Sequence, residues 1–212
     1  MRAYNIVDTF VIECDKAIRT VLDRPKSTNR PIPSHEIEQP ILSATERQQA
    51  IRLMRVNHAG EVSAQALYQG QALTAKSPSV RQAMAESALE ENDHLVWCEQ
   101  RVTELGGHTS LLNPFWYVGS YALGALAGKI GDKWSLGFVA ETEAQVVKHL
   151  DKHLDKLSQN DSKSRAILEQ MKIDEAHHGT VAMEAGGIAL PAPIKFTMSL
   201  ISKVMTVSSS RI

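Results

Sequence analysis

Cysteine is nearly absent from this 212-residue chain: Cys14 and Cys98 stand alone and no CxxC pair occurs. A disulfide scaffold and a thiolate metal site are therefore both excluded, and a reducing compartment fits best. Excess charge of either sign is also missing. The formal net charge is −1 and no dense Lys/Arg tract interrupts the sequence, so there is no electrostatic footprint for nucleic acid. No segment alternates with period two for long enough to make a strand, and no Gly-rich dinucleotide fingerprint is present. A clean membrane span is lacking too. The stretch 111–128, LLNPFWYVGSYALGALAG, carries no charge but contains Asn, Pro, Ser and three glycines, which suits a buried or interfacial helix better than a spanning one. At the N-terminus, Asp8, Glu13 and Asp15 fall where a secretory signal needs apolar residues, so a cytoplasmic origin without a signal peptide is expected.

What is present is helical periodicity. A chain of this length supports one domain with a full core. Residues 3–22 read as a weak helix, and the four prolines of RPKSTNRPIPSHEIEQP make 24–42 a linker or extended arm, so 1–42 is set apart from a main domain at 43–212. Ser43 and Glu46 have capping-box spacing ahead of a helix expected to reach about Lys76. Ser77-Pro78 is expected to cap and open the next helix, which Gly106-Gly107 ends. Further helices are expected over 114–129, 133–157 and 163–185, the last closed by Gly186-Gly187, and another after Pro191 and Pro193. In that final segment Ile194, Met198, Ile201 and Met205 share one face, able to pack on the core or touch a bilayer.

Four of these helices swallow a carboxylate. Steps of four and three link Met84, Ala88, Glu91, Leu95, Cys98, Val102 and Leu105 into one seam. The same steps link Leu136, Ala140, Glu143, Val147, Leu150, Leu154 and Leu157, and then Leu168, Met171, Glu175, His178, Ala182 and Ala185. A shorter seam runs through Met54, Asn57, Glu61, Ala64 and Tyr68. A carboxylate buried without a partner costs several kcal/mol, so each needs one. Histidine follows three residues after two of them, as His94 and His178. Thirty residues separate Glu61 from Glu91 and thirty-two separate Glu143 from Glu175, so the chain repeats a helix pair giving Glu and then Glu-x-x-His. That order matches an all-α, ferritin-like four-helix bundle, here with two additional apolar helices, in which such residues hold two iron ions. Four glutamates cancel four positive charges, and two neutral imidazoles complete the coordination.

Glu-x-x-His alone is a weak signal; two copies, each trailing a seam glutamate by one helix length, are specific. Glu90 and Asp174 are turned about 100° from the seam, where they are candidates to accept the imidazole N–H groups of the opposite helix, a solvated face being the alternative. Tyr68, two turns from Glu61, is a candidate for lining an oxygen or substrate pocket, with plain core packing as the alternative. His58 and His149 lie near ligand-bearing turns, while His35, His108 and His153 read as linker, loop or surface and are assigned nothing.

The words around these residues, RVNHAGEVSAQALYQGQ (55–71), EENDHLVWCEQR (90–101), NPFWYVGSYALGALAG (113–128), VAETEAQVVKHL (139–150) and DEAHHG (174–179), resemble the demethoxyubiquinone hydroxylase family over about residues 43–206. The resemblance implies a di-iron monooxygenase that hydroxylates the ring of a polyprenylated methoxy-methyl-benzoquinol, using O2 and a reductant that is either NADH or the quinol itself. It implies iron ligation by Glu61, Glu91, His94, Glu143, Glu175 and His178, with Glu91 and Glu175 bridging. It also implies a peripheral place on the cytoplasmic face of the inner membrane, with the apolar helices 113–128 and 193–206 docking there and giving the isoprenoid tail its route. Other ubiquinone-biosynthesis proteins or further copies of the chain are the protein partners it admits. The competing readings are iron storage or peroxide detoxification on the same bundle, and a non-catalytic helical scaffold that binds quinone or lipid.

Overall fold

The computed structural model describes residues 5–22 and 27–212. Seven helices are present among the described residues: α1 (Ile6–Leu22), α2 (Ala44–Thr74), α3 (Pro78–Glu104), α4 (Asn113–Ile130), α5 (Asp132–Lys156), α6 (Ser162–Glu184) and α7 (Ala192–Ser209). The expected helix over 3–22 is α1, with residues 3 and 4 outside the described set.

Helix ends explain most of the boundaries. Ser43 and Glu46 form the reciprocal capping box, each side chain accepting the other's backbone N–H. Helices α3 and α6 close with the same Schellman geometry. Gly106 (φ 77°) and Gly186 (φ 103°) take the left-handed conformation, and the next N–H groups, of Gly107 and Gly187, reach back to the Val102 and Ala182 carbonyls. Two boundaries differ from expectation. Helix α2 stops at Thr74, and Ser77 makes no side-chain cap to α3. Asp132, at the start of α5, instead accepts the Lys76 and Ser77 N–H groups at 3.0 and 2.8 Å, pinning the α2–α3 turn to the second half of the chain.

Helices α2, α3, α5 and α6 form the bundle, α2 pairing with α3 and α5 with α6, while α4 lies along α2. Glycine makes that last contact possible. A Cβ on Gly124 would collide with the Leu67 carbonyl, and one on Gly70 with the Tyr121 carbonyl, so only bare backbone allows α4 to lie this close to α2.

Three buried apolar clusters make up the core, one of them (Val62, Ala66, Leu95 and Tyr117) joining α2, α3 and α4, and the other two lying at opposite ends of the bundle. Met54, Cys98, Leu150, Leu168 and Met171 pack at one end, and Tyr68, Met84, Leu136, Val139 and Ala182 at the other. Each seam passes from one cluster to the other through its glutamate, so the carboxylates occupy a layer between two apolar plugs. Ala185, the last member of the α6 seam, is exposed because the helix has ended there.

Candidate metal centre

Glu61 comes from α2, Glu91 and His94 from α3, Glu143 from α5, and Glu175 and His178 from α6, and all six are buried. The i to i+3 spacing within α3 and α6 stacks each imidazole one turn above its glutamate. Oxygens of Glu61, Glu91 and Glu175 and a ring nitrogen of His94 all fall within 4.8 Å of one another.

The two Glu-x-x-His carboxylates each face both histidines. Nδ1 of His94 lies 3.3 Å from Glu91 Oε2 and 3.2 Å from Glu175 Oε1. Nδ1 of His178 lies 3.1 Å from Glu91 Oε1 and 3.3 Å from Glu175 Oε2. Glu61 Oε2 is 3.7 Å from His94 Nδ1. Glu143 stands at the edge of the cluster, where its Oε1 accepts a 2.6 Å hydrogen bond from the Tyr68 hydroxyl.

Both imidazoles turn Nδ1 inward and Nε2 outward. Nε2 of His94 meets Asp174 Oδ2 at 2.8 Å, across on α6, and Nε2 of His178 meets Glu90 Oε2 at 2.7 Å, across on α3. A carboxylate can only accept here, so each Nε2 carries a proton, and Nδ1 is the nitrogen each ring would offer to a metal. Asp174 and Glu90 thus lie on the opposite helix from the ring each contacts, and Glu90 keeps a 43% exposed side chain.

Burial drives the Glu61 and Glu143 carboxyls well above the usual range, and the neighbouring carboxylates add to the rise. Burial pulls the imidazoles down, but the surrounding carboxylates outweigh it: His94 rises well above its ordinary value and His178 to about 12. The layer therefore demands positive charge, as protons or as metal. Oxygens Oε2 of Glu61, Oε1 of Glu91 and Oε2 of Glu143 are buried and accept no hydrogen bond, although Glu91 Oε1 lies 3.1 Å from His178 Nδ1. Three lone oxygens beside two inward ring nitrogens, whose protons a metal would displace, suit a pair of divalent cations, and the carboxylate-imidazole donor set suits iron or manganese. The residues fit such a pair.

A cavity of about 160 Å³ opens beside this layer. Glu61, Glu143 and Glu175 form its inner end, and Leu67, Trp116, Leu123, Phe138, Met198, Ile201 and Met205 supply apolar wall from α2, α4, α5 and α7. The Met198–Ile201–Met205 face of α7 is thus turned to the cavity. Tyr68 lines a different pocket, of about 600 Å³, between α1, α2 and α3, and reaches the centre only through its hydroxyl.

Three features escape sequence reasoning. His153, read as surface, is buried; its Nδ1 lies 2.9 Å from Asn57 Oδ1 and its ring 3.9 Å from that of His149, which lines the cavity. The i to i+4 spacing of the two histidines was the available signal. Burial lowers His149 to about 4 and His153 to about 2, so both are neutral at physiological pH. His58 is likewise buried, beside the Asn113 amide at 3.3 Å. Lastly, the arm is docked: Arg30 reaches Asp174 at 2.7 Å, a contact spanning 144 positions that no local pattern announces.

A likeness to a dodecameric thioferritin, the bacterioferritin-related protein of Bacteroides fragilis, covers 72% of this chain and 88% of that one with a TM-score of 0.55 at 16% identity, and shows the ferritin-like fold. Among named relatives, the 3-demethoxyubiquinol 3-hydroxylase of Nitrosococcus oceani is 61% identical over 97% of this chain and 96% of its own length. That of Stutzerimonas stutzeri is 56% identical over 100% of this chain and 98% of its own. The sequence profile described as ubiquinone biosynthesis protein COQ7 matches residues 48–209, from the start of α2 to the end of α7, and the chain belongs to that family.

Proposed function

We propose that the chain is a 3-demethoxyubiquinol 3-hydroxylase, a monooxygenase that converts a ring C–H of a polyprenylated methoxy-methyl-benzoquinol to C–OH. The single observation that carries this reading is the shared wall between the carboxylate layer and an apolar cavity: Glu61, Glu143 and Glu175 close the inner end of a space otherwise lined by hydrocarbon. A greasy ring substrate can lie there within reach of the centre.

Glu61, Glu91, His94, Glu143, Glu175 and His178 would hold two iron ions, Glu91 and Glu175 standing between the two histidines with one oxygen toward each. Such a pair would supply the reductive activation of O2, one oxygen atom going to the ring and the other leaving as water with two protons and two electrons, the latter from NADH or the quinol. The remaining work belongs to the protein. Asp174 and Glu90 fix the tautomer and direction of His94 and His178. Tyr68 pins one oxygen of Glu143 and leaves the other free. Apolar side chains from α4 and α7 exclude water, and His149, whose Nε2 is buried without a partner, offers a hydrogen bond to a ring hydroxyl.

The tail requires a lipid route. No described helix is long and apolar enough to cross a membrane. Yet Phe10 and Val11 of α1, Phe115, Val118 and Leu126 of α4, and Phe196, Leu200 and Val204 of α7 are all exposed. These faces dock the protein on the bilayer surface, at the cytoplasmic side of the inner membrane, and the tail enters the cavity between α4 and α7.

Anaerobic loading with Fe(II), followed by O2 and a short-tail demethoxyquinol, tests the reading. Mass spectrometry is expected to show a product heavier by one oxygen atom, labelled when ¹⁸O2 is used. Iron oxidation with no quinol product would instead assign the bundle to iron storage or peroxide removal.

A further inference from the structure

The arm crosses the two helices that carry the Glu-x-x-His pairs. Pro31, Pro33 and Pro40 keep it out of a helix, and its polar side chains bind α3 and α6 together at two points. At one point Gln39 Oε1 accepts from the Arg101 guanidinium of α3 at 2.8 Å and from the Lys163 N–H of α6 at 3.3 Å. At the other, Thr28 donates its N–H at 2.9 Å, and its hydroxyl as well, to Asp93, a buried carboxylate next to His94. Arg30 then spans the groove: Nε meets Asp93 Oδ2 of α3 at 3.2 Å and Nη2 meets Asp174 Oδ2 of α6 at 2.7 Å.

The oxygen that Arg30 grips on Asp174 is the one that accepts from His94 Nε2, and the other oxygen takes the Gln170 amide at 2.9 Å. The guanidinium also lies 4.9 Å over the Trp97 ring, which sits 5.4 Å from the His94 ring. Asp174 and Trp97, which meet the His94 ring from outside the centre, are thus both contacted by Arg30 of the arm. The other half of the centre has no counterpart. Glu90, which plays the same part for His178, is 43% exposed and has no Lys or Arg partner among the described residues.

The geometry points to a positioning role for Arg30: acting through Asp174, the arm pre-orients His94 and makes the two metal positions of a nearly symmetric centre unequal, the His94 position being the tighter. This rests on the metal-centre reading above. A hydrogen-bond partner behind a ligating histidine is typically worth about 10–100-fold in metal affinity, and an ion-paired, stacked partner holds the ring more firmly than an exposed one. Lysine cannot reproduce the fork that joins Asp93 to Asp174, so R30K recovers charge but not geometry.

Chelator-competition titration of the full chain with Co(II) tests this without any turnover, since the two stepwise affinities are read from d–d absorption. R30A is expected to weaken one step by about 10-fold or more, leave the other within about threefold, and bring the two closer together; R30K is expected to fall between R30A and the unaltered protein. Because Arg30 acts chiefly through Asp174, R30A added to D174N is expected to cost much less than the sum of the two changes made separately. The inference is overturned if R30A leaves both affinities within about twofold, if both fall alike with the melting temperature of the metal-free protein, or if R30A and D174N are additive. Failure of the unaltered chain to bind Co(II) at all would remove the metal-centre reading itself, an outcome distinct from two normal steps that ignore Arg30.

Discussion

The Tyr68 hydroxyl donates a 2.6 Å hydrogen bond to Glu143 Oε1, joining the apolar plug at one end of the bundle to the carboxylate layer in its middle. Tyr68 is fully buried, and burial together with the nearby Glu143 charge pushes its phenol well above the usual range, so it acts as a donor and not as an anion.

Tyr68→Phe deletes that donor at nearly constant volume and leaves Glu143 with two unpartnered buried oxygens. An orphaned buried group of this kind costs about 1–3 kcal/mol. A fall in the metal-free melting temperature on the order of 5 °C is expected by calorimetry. An unchanged melting temperature would show that the hydrogen bond contributes nothing.

His149 and His153 predict an acid limit to stability. Burial lowers them to about 4 and about 2, with Lys152 facing His149 and Lys156 facing both. The unfolded chain takes up these protons near pH 6.5 whereas the folded chain refuses them, so the stability they confer is whole above pH 6.5 and is lost as pH falls toward 4. His153→Gln keeps an N–H for Asn57 but removes one titration. Urea unfolding at pH 7 and pH 5 is expected to show a smaller loss in the variant than in the unaltered protein; equal losses would contradict the assignment.

The exposed aromatic residues of α4 and α7 give a prediction separable from folding. Phe115 and Phe196 are 68% and 71% exposed, so Phe115→Asp with Phe196→Asp should leave the melting temperature within about 2 °C. Inserting a phenylalanine into lipid is worth roughly 1.5–3 kcal/mol. Sedimentation with phosphatidylglycerol-containing vesicles is thus expected to fall by about tenfold or more, and unchanged sedimentation would place these faces elsewhere than on a bilayer.

The parts of the structure legible in sequence are those that repeat along a helix. Steps of four and three carry Glu91 and Glu175 inward with Leu95 and Met171, because side chains on one helical face share one environment. Chain-local signals such as Ser43 with Glu46, and the paired glycines after α3 and α6, also name their own partners. Illegible were contacts made between distant positions. Asp132 fixes the turn before α3, through the Lys76 and Ser77 N–H groups, because α5 happens to start beside it. His153 is buried because Asn57, on another helix, accepts its N–H. Arg30 could not be paired with Asp174 until α6 was laid beside the arm. The apolar faces of α1, α4 and α7 have periodicity, but periodicity does not say whether protein or lipid covers them.

The most direct test of the account is anaerobic titration of the metal-free chain with Fe(II), read by bound metal and by Mössbauer spectra, alongside Glu175→Gln. Glu175 faces both histidines, so its loss should disturb both positions at once. Two ions per chain in one coupled centre are expected, with the variant holding fewer than one at the same free iron. Binding of one ion or none by the unaltered chain, or full binding by the variant, would contradict a centre built from these six side chains.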